Sequence, residues 1–141
     1  MAAYVLDGSV ALAWFMPGEQ GPQTDDLLSE ATEMGALAPS LWPLEVANII
    51  LMAERKGRIT YAVRIRALTA LTRLPIRIDT ETAGQAWRST LDLAHAHGLT
   101  VYDATYLELS LRSGLRLATL DKALGRAAIA CGVSVLGMNS A

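Results

Sequence analysis

Cysteine is nearly absent from this sequence: Cys131 stands alone in 141 residues. One thiol excludes an internal disulfide and accords with a reducing cytoplasm, which is the expected location. It lies among Ala127, Ala128, Ile129 and Ala130, with no histidine or second cysteine beside it, and reads as a buried small hydrophobe. Charge is also sparse, at 18% of residues against 52% hydrophobic, which excludes a disordered chain. Long apolar runs are missing: none approaches the ~18–20 residues a helix needs to cross a bilayer. The start, Met-Ala-Ala-Tyr-Val-Leu-Asp, lacks the basic and then apolar character of a signal peptide, so no membrane association is expected. The length suits one domain, residues 1–141, around one core.

Positive charge is absent from the first third. Before Arg55 there are eight acids and no Lys or Arg, and from Arg55 to Arg77 there are seven bases and no acid. Such an asymmetry allows a polyanion or an acidic partner to dock on one side. It equally allows the basic segment to face the acidic one within the fold.

The apolar pattern that is present alternates between two periods. Short apolar runs at Ala3 to Leu6, Ala36 to Ala38, Ile76 to Ile78, Arg116 to Leu120 and Val133 to Leu136 read as strands. Helices are expected between them. Ser9 caps one through Phe15, and another covers Thr24 to Met34. Ser40 caps a third, with Pro43 in its first turn and Gly57 beyond its end. Thr60 opens the fourth, which stops before Pro75. Thr80 to His97 forms one helix on an Ala83, Trp87, Leu91, Ala94 stripe. Thr100 to Arg112 and Asp121 to Ala130 complete the set. Alternating short strands and helices imply an α/β fold, with a central, mostly parallel sheet of four to five strands between helical layers.

In such folds, sites form beyond the carboxyl ends of the strands and at adjoining helix starts. Four acids fall there: Asp7 and Asp121 after strands, Glu45 and Asp103 in first turns of helices. Singly, each could be an ordinary helix-start acid. Together they need compensation, because Asp7 and Asp103 sit in apolar sequence and no Lys or Arg stands near Asp7. A divalent cation is the simplest partner, and oxygen donors without His or Cys suit Mg²⁺ or Mn²⁺ rather than zinc. A metal on carboxylates suits phosphodiester cleavage. Asn48, one turn after Glu45, and Ser9 and Thr119, each two residues from an acid, are supporting candidates; capping or core hydrogen bonding explains them equally.

These stretches carry a family likeness. Tyr4 to Phe15, Ala38 to Asn48, Leu99 to Leu107 and Leu117 to Leu124 resemble, in order, the four motifs of PIN-domain proteins of the VapC toxin type. Members more often carry Ala where this chain has Gly8, an exchange expected to alter little. The resemblance implies a PIN-like three-layer fold and a Mg²⁺- or Mn²⁺-dependent endoribonuclease acting on RNA such as tRNA or rRNA. It also implies a VapB-type antitoxin as partner and a homodimer. Asp7 and Asp103 would be the main metal ligands, Asp121 a third, direct or through water, and Glu45 a ligand or water-orienting base. The helical pair carrying Arg55 to Arg77 would help bind the antitoxin, although an RNA backbone could use the same charges. A catalytically inactive PIN-like module that binds RNA or protein is the alternative. A receiver domain or small-molecule phosphatase fits poorly, because Asp7 stands alone and Lys122 directly follows an acid.

His95 and His97, two apart, cannot chelate together and read as surface or helix-end residues. Trp14, Trp42 and Trp87 read as core or dimer interface, and Tyr102 and Tyr106 as core residues that could also stack on a base.

Overall fold

The computed structural model describes residues 1–138, so the last three of the 141 lie outside the described residues. In chain order the strands are β1 (Val5–Leu6), β2 (Ala36–Ala38), β3 (Ile76–Ile78), β4 (Leu117–Ala118) and β5 (Val135–Leu136). The helices are α1 (Gly8–Ala13), α2 (Pro22–Met34), α3 (Trp42–Arg55), α4 (Tyr61–Arg73), α5 (Thr82–Gln85), α6 (Leu91–His97), α7 (Val101–Ser113) and α8 (Lys122–Ala130). All sheet pairings are parallel, in the order β3-β2-β1-β4-β5. The expected sheet between helices is therefore present, with five strands.

The inner strands are apolar on both faces because helices cover both. Val5, Leu6, Ala38, Leu117 and Ala118 are all fully buried. Seven consecutive residues of α7, Ala104 to Ser110, are buried, which marks it as a helix surrounded by protein rather than a surface helix. Its one interior acid, Glu108, is neutralised: Arg112 donates to it from one turn away at 2.8 Å and grips Asp79, just beyond β3, through two nitrogens at 3.0 and 2.7 Å. Tyr4 closes the opposite side by donating to the Leu27 carbonyl at 2.6 Å. At the turn from α2 into β2, Gly35 has φ +77°, and a Cβ there would meet the Pro75 carbonyl oxygen at 2.7 Å. Only glycine suits both demands.

Several local expectations change. Ser40 does not cap α3; Leu41 occupies that position, and the Ser40 amide instead donates to Thr82 Oγ1 at 3.0 Å. The N-cap of α1 is Asp7, with Ser9 inside the helix. The single helix expected over Thr80 to His97 is broken by a wide π-type turn at Ala86–Thr90, where Arg88 has φ −117° and ψ −111°. Gly84, Thr82 and Thr90 are weak helix formers, and the kink turns Trp87 out to 92% exposure. Trp87 is thus no core residue, whereas Trp14 and Trp42 are. Cys131 is half-buried, with His97 Nε2 3.2 Å from its sulfur. The two are 34 residues apart, so sequence proximity could not reveal the pair.

Candidate active site

The chain fills the sheet outward from β1 in both directions, first through β2 to β3 and then through β4 to β5. The crevice at such a reversal, beyond the carboxyl ends of the strands, is where open α/β sheets bind ligands. Asp7 follows β1 directly at that point, and Thr119 follows β4 beside it. Asp7 is 5% exposed, yet its carboxylate does not cap α1. Two hydroxyls serve it instead. Ser9 and Thr119 both donate to Oδ2 at 2.7 Å. Ser9 Oγ also accepts from the Leu120 amide, and Thr119 Oγ1 from the Asp121 amide, each at 3.0 Å. The two hydroxyls therefore tie the end of β1 to the start of α8.

The other three acids arrive on helix starts. Thr100 caps α7 by accepting from the Asp103 amide at 3.1 Å, which sets Asp103 in the first turn. Asp121 caps α8, its Oδ1 accepting from the Leu124 amide at 3.0 Å, so one of its oxygens is used structurally. Glu45, in the first turn of α3, accepts from the buried Tyr106 hydroxyl at 2.7 Å through Oε1.

The four charges feel one another. Burial raises the Asp7 carboxyl above its ordinary range, the two hydroxyls pull it back, and Asp103 and Asp121 push it up again. Burial raises Glu45 too, against the Tyr106 hydrogen bond, with Asp7 and Asp103 adding to the rise. Asp103 is raised by burial and by Asp121. Among the described residues, none of the four has a Lys or Arg partner, in contrast to Asp79 and Glu108, which share Arg112. Repelling, poorly solvated carboxylates without a cation are a poor structural device and a good cation receptor. No ready-made cage of three or more His, Cys, Asp or Glu side chains exists among the described residues. An ion bound there would have to complete its coordination with waters and substrate phosphate, as Mg²⁺ and Mn²⁺ do. The oxygen-only donor set fits the same ions.

Of the supporting candidates, Ser9 and Thr119 touch Asp7 directly. Asn48 does not: it is exposed and lines a cavity of about 440 Å³ with Ser9, Leu120, Lys56 and Arg58. Of the seven bases from Arg55 to Arg77, Arg64 alone forms an ion pair among the described residues, with Glu54 at 3.0 Å. The notion that this segment is neutralised by the acidic first third is thus met by one pair. Tyr102 is 64% exposed beside Asp103, while Tyr106 is fully buried. The Tyr106–Glu45 contact went unread in the sequence, although Tyr106 lies three residues after Asp103, on the same helix face. Gly8 was also underestimated, since a Cβ there would stand 3.0 Å from Glu45 Oε1.

Residues 4–130 match the PIN domain family. This chain is a PIN-domain protein. It is 31% identical over 120 residues to Ribonuclease VapC3 of Pyrobaculum aerophilum, an alignment covering 85% of this chain and 90% of that one. The likeness extends to the VapC type, as the four motifs imply. A crystal structure from the same organism, that of PAE2754, superposes with a TM-score of 0.69 at 24% identity, covering 95% of this PIN-domain chain and 83% of the other. At that identity the superposition speaks for the fold. No helix among the described residues is long and apolar enough to cross a membrane.

Proposed function

We propose that this PIN-domain protein is a Mg²⁺- or Mn²⁺-dependent endoribonuclease, the toxin of a VapBC-type toxin–antitoxin pair, working in the cytoplasm. The observation that carries the reading is the convergence of Asp7, Glu45, Asp103 and Asp121, mutually repelling and without a basic partner, at the sheet's reversal point. Asp7 and Asp103 would hold the metal, with Asp121 as a third ligand through the oxygen it does not use in capping. When bound, the ion supplies an activated water and offsets charge on the phosphate. Ser9 and Thr119 orient the Asp7 carboxylate by fixing Oδ2. Glu45, whose carboxyl burial raises above its ordinary range, is suited to accept a proton from the attacking water.

The cleft beside Ser9 supports a polyanionic substrate, because Lys56 and Arg58 on its wall outnumber its single acid, Glu19, and neither base forms an ion pair among the described residues. Phosphate contacts of that kind give sequence-independent, salt-sensitive affinity for RNA. The same cleft has an apolar side formed by Leu12, Ile49 and Met52, which suits a segment of a VapB-type antitoxin. Self-association as a homodimer belongs to the same proposal, as does cleavage of tRNA or rRNA.

The test is cleavage of labelled RNA with Mg²⁺ or Mn²⁺ by the wild type, Asp7→Asn and Asp103→Asn, with isothermal titration of Mn²⁺ alongside. Loss of cleavage and of Mn²⁺ uptake in both variants is expected. Undiminished cleavage in both would refute the assignment, and absence of Mn²⁺ binding by the wild type would favour a non-catalytic binding module.

A further inference from the structure

Glu45 Oε1 is enclosed by groups from two other elements. The Tyr106 hydroxyl, from the middle of α7, donates to it at 2.7 Å. Gly8, the first residue of α1, adjoins both groups: its backbone amide reaches the Tyr106 hydroxyl, and a Cβ there would stand 3.0 Å from Oε1 and 3.7 Å from Val46 Cγ2. Glycine is not required there by the backbone, because Gly8 is absent from the residues with positive φ. It is also a poor helix former. What Gly8 provides is space: the missing side chain lets the carboxylate oxygen approach α1. A Cβ there would require the Glu45 carboxylate to shift by a few tenths of an ångström, and that carboxylate is one of the four acids.

We propose that Tyr106 is a positioning residue which, with the side-chain-free Gly8, commits Glu45 Oε1 to the protein and leaves Oε2 alone to face the reaction. Glu45 would then act through one oxygen, orienting a water rather than chelating an ion with both. The inference deepens, and rests on, the nuclease reading above. Tyr106 is well placed for the task. It is fully buried, so its ring has no alternative position without opening the core. It lies three residues from Asp103 on the same helix, so one rigid element carries a metal-binding acid and the group that aims a second acid. A tyrosine that merely satisfied its hydroxyl in the core could have used a backbone carbonyl, as Tyr4 does with Leu27.

The experiment is a double-mutant cycle with Tyr106→Phe and Glu45→Ala, read as kcat and KM for RNA cleavage with Mn²⁺, together with NMR of the metal-free protein labelled at the Cζ of its four tyrosines. Tyr106→Phe keeps the ring and removes one hydrogen bond to a charged group, so kcat should fall about tenfold with KM little changed. Added to Glu45→Ala, it should cause no further loss. In the metal-free spectra, one resonance should move on both Glu45→Gln and Gly8→Ala, and it should be the one missing from Tyr106→Phe. Wild-type kinetics in Tyr106→Phe, or an equal loss in the Glu45→Ala background, would overturn the proposal. If Tyr106→Phe does not fold, the spectra decide: no resonance responding to both substitutions refutes the clamp. Full cleavage by Glu45→Ala would refute the site reading itself, whereas its inactivity beside an unaffected Tyr106→Phe refutes only the positioning role.

Discussion

Asp7→Asn should stabilise the metal-free protein at neutral pH while removing its activity. Asp7 is 5% exposed, lacks a basic partner among the described residues and is repelled by Asp103 and Asp121. An asparagine can accept the same two hydroxyl hydrogen bonds through its carbonyl oxygen without carrying charge. Exchanging two charge-assisted bonds for neutral ones costs about 1 kcal/mol each. Relieving a desolvated ion recovers several kcal/mol. The balance is a gain of about 1–2 kcal/mol, or about 3–6 °C in Tm for a chain of this size. The pH dependence has a definite sign. The folded-state values of Asp7, Glu45 and Asp103 are all raised, so between the ordinary carboxylate range and those values the folded protein holds protons that the unfolded chain releases. Stability from these groups is therefore greatest on the acid side and declines as pH rises through that window, and Asp7→Asn should flatten the decline. Divalent metal should reverse the order, since a ligand at a hundred times its Kd stabilises the wild type by about 2.7 kcal/mol. Thermal unfolding followed by circular dichroism, in EDTA and in Mn²⁺ at pH 5 and pH 7, tests each step. A lower Tm for Asp7→Asn in EDTA at pH 7 would refute the reasoning.

Two further substitutions probe the scaffold around the site. Arg112→Met strands Asp79 and Glu108, whose side chains are 9% and 5% exposed, and should cost about 3–5 kcal/mol in urea unfolding at pH 7. Because Arg112 holds the Asp79 carboxyl below its ordinary range, the stability it confers is present above that range and lost as pH falls through the depressed value. The deficit of Arg112→Met should thus shrink in acid, and a deficit independent of pH would count against the ion pair. Gly35→Ala forces a Cβ to 2.7 Å from the Pro75 carbonyl oxygen at a φ of +77°, and should cost about 2 kcal/mol or more, visible as a lowered urea midpoint; an unchanged midpoint would show that the turn relaxes freely.

Much of the molecule was legible from residue pattern alone. Ala36–Ala38 and Ile76–Ile78 are strands at the expected bounds, and Thr60 and Thr100 cap the helices they were expected to open. These are local matters, set by side-chain periodicity and by hydroxyls bonding amides three residues ahead. The misreadings were non-local. Ser40 has a good capping side chain, but α3 begins one residue later behind Leu41, and Ser40 is instead held through its amide by Thr82, 42 residues away. The Ala83, Trp87, Leu91, Ala94 stripe has helical spacing, yet packing against α7 accommodates a kink that expels Trp87.

The same division runs through the site. The sequence by itself determined which acids end strands or begin helices, and that no base lies near Asp7 along the chain, because those are properties of order and spacing. It also carried four ordered motifs, enough to place the chain in its family. Only the tertiary structure decided how the acids differ. Asp7 is held by two hydroxyls through one oxygen, Asp121 spends an oxygen on a cap, and Glu45 is gripped by Tyr106, 61 residues away, against Gly8. Hydrogen bonds and repulsion act over a few ångströms, and which groups come that close is set by the parallel sheet that brings β1 and β4 side by side.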